Sequence, residues 1–165
     1  MASRIPKACP AIGGGFTLIE LIVVIAIVLF IFVGTIANYN AYGDKERVRQ
    51  AASTFKGDVR LSLTKVTSAL KPTGCETLTS YELVFPNTCD TACYEVTPVC
   101  STSVGETFRV TLPNGVHVTS TDSPINFLPL AGGTDLASDA NITFTGVSSY
   151  TVTVTITKSG SISEQ

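Results

Sequence analysis

Few residues in this chain could carry chemistry. Its 165 residues include five cysteines, one histidine and no tryptophan. Cys75, Cys89, Cys93 and Cys100 fall in a 26-residue stretch, with 13, 3 and 6 residues between them. An even set of cysteines in a segment rich in threonine and proline fits two disulfides that staple a loop with little core of its own. Three pairings are open, and the favoured ones are Cys75–Cys100 with Cys89–Cys93, or pairing of sequence neighbours. A zinc site would call for two Cys-x2-Cys knuckles, which the spacing does not supply. His117 stands between Val116 and Val118, and strand alternation there turns it to solvent rather than making it a base. Asp135 and Asp139 flank a short loop, but two carboxylates are few ligands for calcium. No Gly-x-Ser-x-Gly or metalloprotease motif occurs. No catalytic residue, cofactor or metal is therefore expected, and the chain reads as a non-enzyme.

Composition points the same way. Charged residues make up 15% and mean hydropathy is +0.34, against roughly 25% charged in an average soluble domain. Disordered chains need more charge and less apolar content. Lys+Arg number 11 and Asp+Glu 13, for a net charge of −2, so no global basic surface exists to grip phosphate. The charge is uneven: residues 44–71 carry seven basic and three acidic side chains, whereas 72–165 carry two basic and nine acidic. A +4 segment followed by a −7 segment suits a subunit that meets its own copies head to flank; two separately solvated surfaces are the alternative.

The elements that position these residues start with an apolar run. Phe16–Ala37 contains 22 residues with Glu20 as its single ionisable side chain. As a helix it would extend ~33 Å, enough for a bilayer core of ~30 Å, and a lone span has no other way to satisfy its backbone. Arg4 and Lys7 precede it, which predicts a cytoplasmic N-terminus with the residues after Tyr42 outside. A secretory signal has a shorter core followed by a small-residue cleavage site, of which Thr35-Ile36-Ala37 is a poor version. Gly13, Gly14 and Gly15 lack the following Gly-Lys-Ser/Thr of a phosphate loop.

The string Gly15-Phe16-Thr17-Leu18-Ile19-Glu20 ahead of this run resembles the class III signal of type IV pilins and pseudopilins. The resemblance implies that a prepilin peptidase cuts after Gly15 and methylates the new amino terminus of Phe16, with Cys9 lost in the leader. Glycine at the cut lets a protease approach the backbone closely. The resemblance further implies an assembly role for Glu20. A carboxylate in a membrane helix costs roughly 2.5–3.5 kcal/mol, and the amine freed at Phe16 of an incoming subunit can pair with Glu20 of its neighbour. The plainer alternative is that Glu20 snorkels to the headgroups. Implied partners are the peptidase, other pilin or pseudopilin subunits and an inner-membrane assembly platform. The implied location is the inner membrane, single-pass, with the globular part extracytoplasmic in a periplasmic pseudopilus or surface pilus.

After Gly43 the pattern becomes amphipathic: Val48, Ala52, Phe55, Val59, Leu63, Val66 and Leu70 recur at helical spacing. Lys71-Pro72 ends this helix, and Gly34 and Gly43 are expected bends. Strands are expected at Leu78–Phe85, Thr107–Leu112, Val116–Ser120, Ile142–Thr145 and Tyr150–Thr157, with a hairpin at Pro113-Asn114-Gly115. Phe127, Pro129 and Gly132 ahead of the last strands resemble the tail of GspH/FimT-like minor pseudopilins. The expected fold class is α+β: a long N-terminal helix, half transmembrane and half amphipathic, packed on a C-terminal antiparallel sheet in the lollipop form of the pilins. The expected organisation is a cleaved leader at 1–15, a transmembrane and assembly helix at 16–43, an amphipathic helix at 44–71 and a disulfide-stapled β-rich domain at 72–165. The function implied is a structural subunit of a type IV pilus or type II secretion pseudopilus, of minor type. A DNA-capturing minor pilin and a major pilin are the alternatives; the acidic balance after Pro72 speaks against nucleic acid.

Overall fold

Helix-forming residues run without a proline from Leu18 to Leu70, and the backbone uses most of that stretch. The computed structural model describes residues 15–89, 92–102, 104–129 and 133–165, and at 33–38 the backbone alone. Arg4, Lys7, Cys9, Gly13, Gly14 and Gly132 lie outside the described residues, as do the side chains of the Thr35-Ile36-Ala37 site. The chain divides into two units, Met1–Tyr39 and Asn40–Gln165.

Helix α1 spans Leu18–Thr67. Nine strands follow among the described residues: β1 Leu78–Val84, β2 Cys93–Cys100, β3 Phe108–Thr111, β4 His117–Ser120, β5 Ile125–Leu128, β6 Gly133–Thr134, β7 Ala140–Thr145, β8 Thr151–Ile156 and β9 Ile162–Glu164. They form two antiparallel sheets, a five-stranded one in the order β3-β2-β1-β5-β6 and a four-stranded one in the order β4-β7-β8-β9.

Several expectations are corrected here. No helix among the described residues is long and apolar enough to cross a membrane. Among the described side chains, the apolar run of α1 covers residues 18–32, and from Asp44 onward the helix is charged. The transmembrane half of the expected helix is therefore not found, and the lollipop form, whose stalk was to be that helix, falls with it. So does the expected single-pass placement in the inner membrane. The single sheet is corrected to two. Pro113-Asn114-Gly115 does make a tight turn, with the Val116 N–H donating to the Pro113 carbonyl at 3.1 Å and Gly115 at φ 83°. Yet it joins β3 to β4, which belong to different sheets, so it is a crossing point and not a hairpin. Gly43, expected as a bend, lies inside α1.

The helix stops before Lys71-Pro72 by its own local chemistry. Ala69 adopts φ 49°, its N–H donates to the Val66 carbonyl and the Leu70 N–H donates to the Lys65 carbonyl. This is the paired closure of a Schellman motif, with alanine where glycine is usual. Thr67 and Ser68 hydroxyls take up further end carbonyls, at Leu63 and Thr64.

In the unit 40–165 the amphipathic face of α1 buries Val48, Ala51, Ala52, Phe55, Val59 and Val66. Phe55 is the central contact. Its ring lies 5.0 Å from Tyr94 on β2, edge-on, and 5.3 Å from Phe144 on β7, so one side chain touches both sheets. Both inner sheet faces are apolar, with Leu83, Tyr94, Ile125 and Phe127 from one and Ile142, Phe144, Val154 and Ile156 from the other. Leu63 is half-buried, and Leu70, past the helix end, is exposed.

The cysteines pair as Cys75–Cys100 and Cys89–Cys93, with Cα atoms 5.7 and 6.2 Å apart. Both separations are in the range a disulfide requires. Cys75–Cys100 ties the segment after the helix to the end of β2, and Cys89–Cys93 closes the short loop leading into β2.

Candidate functional site

In the first unit the candidate site lies at the start of α1. Gly15 precedes the helix, and a Cβ built there would meet no atom within 4 Å. Phe16 is 80% exposed. Thr17 caps the helix: its Oγ1 accepts the Glu20 N–H at 3.3 Å, and its carbonyl accepts the Leu21 N–H at 3.2 Å. Thr17 and Glu20 thus have the spacing of a capping box. The Thr-Leu-Ile-Glu string accordingly has a local function as well, starting the helix and setting a carboxylate at its positive end. The exposed Glu20 is the only charged side chain between Gly15 and Gly43. From Leu18 to Phe32 every large apolar side chain is exposed, Phe30 to 85%. A helix apolar on all sides ordinarily lies buried, whereas this stretch, with a carboxylate in its first turn, is exposed.

The second unit holds its polar side chains in defined bonds. Asp44, 8% exposed, sits on α1 in register with Val48, Ala51 and Phe55. Its carboxylate accepts the Val147 N–H at 3.2 Å, the Ser148 N–H at 2.7 Å and the Ser148 hydroxyl, all from the β7–β8 turn. The Ser148 hydroxyl and amide hold the Asp44 carboxyl below its ordinary range, with Val147 and Arg47 adding to the effect. A Cβ on Gly146 would come within 2.6 Å of that carboxylate and 2.8 Å of Val48. This clamp was not among the sequence-based expectations. Its signal is the i, i+4, i+7 placement of an aspartate on the apolar stripe.

Arg49 donates through Nε to the Tyr150 hydroxyl at 3.1 Å, and Lys45 and Arg49 both lie within 6 Å of the Tyr150 ring centre. The wholly buried Tyr94 donates its hydroxyl to Asp58 at 2.5 Å. Burial and the Asp58 carboxylate push the Tyr94 phenol well above its ordinary range, so it remains a donor.

The other sequence candidates are dispersed. His117 is exposed at the start of β4. Asp135 receives the backbone and side-chain N–H groups of Asn126 at 2.9 and 2.8 Å, bracing β5, whereas Asp139 faces the Lys158 N–H at 3.4 Å. The two carboxylates therefore serve different backbone segments, and no cluster of three or more metal-ligating side chains occurs among the described residues. One cleft of about 310 Å³ opens between α1 and the first sheet, lined mainly by Leu61, Leu70, Pro72, Val96, Pro98 and Phe108. No family model, curated protein or solved structure matches the chain.

Proposed function

We propose that this chain is a structural subunit of a filament of the type IV pilin or pseudopilin kind, matured by a prepilin peptidase that cuts between Gly15 and Phe16. The observation that carries the reading is the segment from Phe16 to Phe32: an exposed, capped helix, apolar all round, with one carboxylate a single turn from its start. Such a surface is unstable in water on its own, and copies of the same helix are an apolar cover of matching length.

Glu20 then has a defined task. Cutting ahead of Phe16 creates an α-amino group that keeps its charge when methylated. Among packed apolar helices an unpaired carboxylate is costly, so a neighbour that brings its amine to Glu20 is favoured over one in any other register. Open space around Gly15, just ahead of the helix, suits a peptidase that binds the chain closely. The disulfides and the Asp44 clamp give the second unit the rigidity of a repeating part.

The test is the mature amino terminus of the chain in its native host. Mass spectrometry is expected to find Phe16 first, carrying one methyl group, and Glu20→Ala is expected to lower filament yield at least tenfold with the protein still produced. Working filaments that keep residues 1–15, or that form at parental yield from Glu20→Ala, would overturn the reading.

A further inference from the structure

Six asparagines occur in the chain, and Asn114 is the one followed by glycine. The others are restrained. Asn38 and Asn40 lie within α1, and Asn87 precedes the β-branched Thr88. Asn126 on β5 donates its side-chain amide to Asp135 at 2.8 Å, and Asn141 on β7 accepts the Thr155 hydroxyl at 2.8 Å. Asn114 is exposed between β3 and β4. Among the described residues no hydrogen bond holds its side chain, its carbonyl or the Gly115 N–H.

The turn itself explains why this dipeptide is there. The Val116 N–H closes it on the Pro113 carbonyl at 3.1 Å, with Gly115 at φ 83° and Asn114 not among the residues of positive φ. That is a type II turn, whose third position calls for glycine. Packing calls for it too, since a Cβ on Gly115 would lie 2.8 Å from Val147 Cγ2. The closing bond leaves the central peptide, between Asn114 and Gly115, able to rotate, and no Cβ on Gly115 obstructs an approach of its nitrogen to the Asn114 side chain.

We propose that Asn114 is a modification site, at which the folded chain converts its own side-chain amide into aspartate and isoaspartate. The Gly115 nitrogen gives its proton to solvent and attacks the Asn114 side-chain carbonyl carbon. A C–N bond forms there, the bond to the side-chain nitrogen breaks, and that nitrogen leaves as ammonia with a proton taken back from solvent. The product is a cyclic imide, which water opens. Cleavage of the new C–N bond gives aspartate. Cleavage of the original peptide bond gives isoaspartate, whose main chain runs through the side chain and is one atom longer. Water is the only co-reactant, and nothing is oxidised or reduced. The two products differ in effect. Aspartate adds a charge at an exposed position, whereas isoaspartate lengthens a turn whose flanking residues, Leu112 and Val116, are both buried. The Leu112 N–H is also tied to the Ala92 carbonyl at 2.9 Å, so the longer turn must draw one of the two side chains from its place in the core.

The experiment incubates the purified full chain in mildly alkaline buffer and follows each asparagine by peptide mapping. Mass spectrometry reads the exchange of an amide for an acid, and chromatography separates aspartate from isoaspartate. Asn114 is expected to convert at least tenfold faster than any of the other five, giving both products. The aged chain should melt below the fresh one. Asn114→Gln, whose longer side chain closes a ring far more slowly, should keep its melting temperature when aged alike, and Asn114→Asp, which adds the charge without rerouting the backbone, should melt as the fresh parent does. Conversion of Asn114 no faster than that of the other asparagines, or conversion seen only after denaturant unfolds the chain, would overturn the site. A converted chain that melts as the fresh one does would overturn the effect on the turn.

Discussion

Two stretches of the same helix treat their apolar side chains in opposite ways. Between Leu18 and Phe32 the large apolar residues are exposed on every side, whereas between Val48 and Val66 they are buried on one face. Backbone hydrogen bonding is the same in both, so intrinsic helix formation does not distinguish them. The difference is the pattern of polar residues along the sequence. The second stretch alternates with Lys45, Arg49, Lys56 and Arg60, which can stay in water while the stripe packs on two sheets. The first has no polar side to give to water.

The sharpest way to test this comparison is to truncate one phenylalanine in each stretch. Phe55→Ala empties the space between Tyr94 and Phe144 and is expected to cost about 3–5 kcal/mol, measured by urea or thermal unfolding. Phe30→Ala, at an exposed site, is expected to change the same transition by less than about 0.5 kcal/mol. Similar losses at both sites would show that Phe30 also carries packing within the chain.

The next largest effect concerns the clamp that fixes the packed stretch to the β7–β8 turn. Gly146→Ala sets a methyl against Asp44 and Val48, and overpacking of this kind costs about 1–3 kcal/mol. A parental melting temperature would mean that the turn can move away from α1. Asp44→Asn sharpens the same point through pH. The folded carboxyl titrates below its unfolded value of about 3.9. Its contribution is therefore fully present above that value and is lost as pH falls through the lower folded one. The melting temperature of the variant should lie below that of the parent near pH 7, and the two should converge as pH falls through the lowered folded value. A difference independent of pH would assign the loss to shape rather than to charge.

The smallest expected effect is a gain. Ala69 holds the left-handed position that closes the packed stretch, where a Cβ costs roughly 1 kcal/mol. Ala69→Gly is expected to recover most of that, raising the unfolding midpoint in denaturant with an unchanged slope. A loss instead would mean that the greater freedom of glycine in the unfolded chain outweighs the strain relieved.

Much of this was legible residue by residue. The periodicity from Val48 to Val66 named the buried helix face, and the five expected strands fall on β1, β3, β4, β7 and β8 with ends shifted by a residue or two. β2 was missed: Pro98 argues against a strand, but β3 has ended where the missing N–H would point, and the Pro98 carbonyl accepts Gly105 there. β5, β6 and β9 are two to four residues long, too short for alternation to register. At the candidate site, Gly15, Phe16 and Glu20 could be read from the string itself. The capping role of Thr17 follows from the same letters but needed the backbone to reveal it. Asp44 lay hidden because a charge on an apolar stripe reads as an interruption until its acceptors are seen.

Local patterns thus determined what depends on neighbours in the chain: where a helix runs, which of its faces is apolar, that the four clustered cysteines fit two bridges, and that one carboxylate interrupts the apolar run. Tertiary structure alone decided which cysteine meets which, that the turn at Pro113-Asn114-Gly115 passes between sheets, and that Asp44 meets residues 103 and 104 positions away. The division has a physical cause. Propensity and periodicity act within a turn or two of backbone, whereas sheet order, disulfide partners and a buried carboxylate's donors are settled by which distant surfaces exclude water from each other.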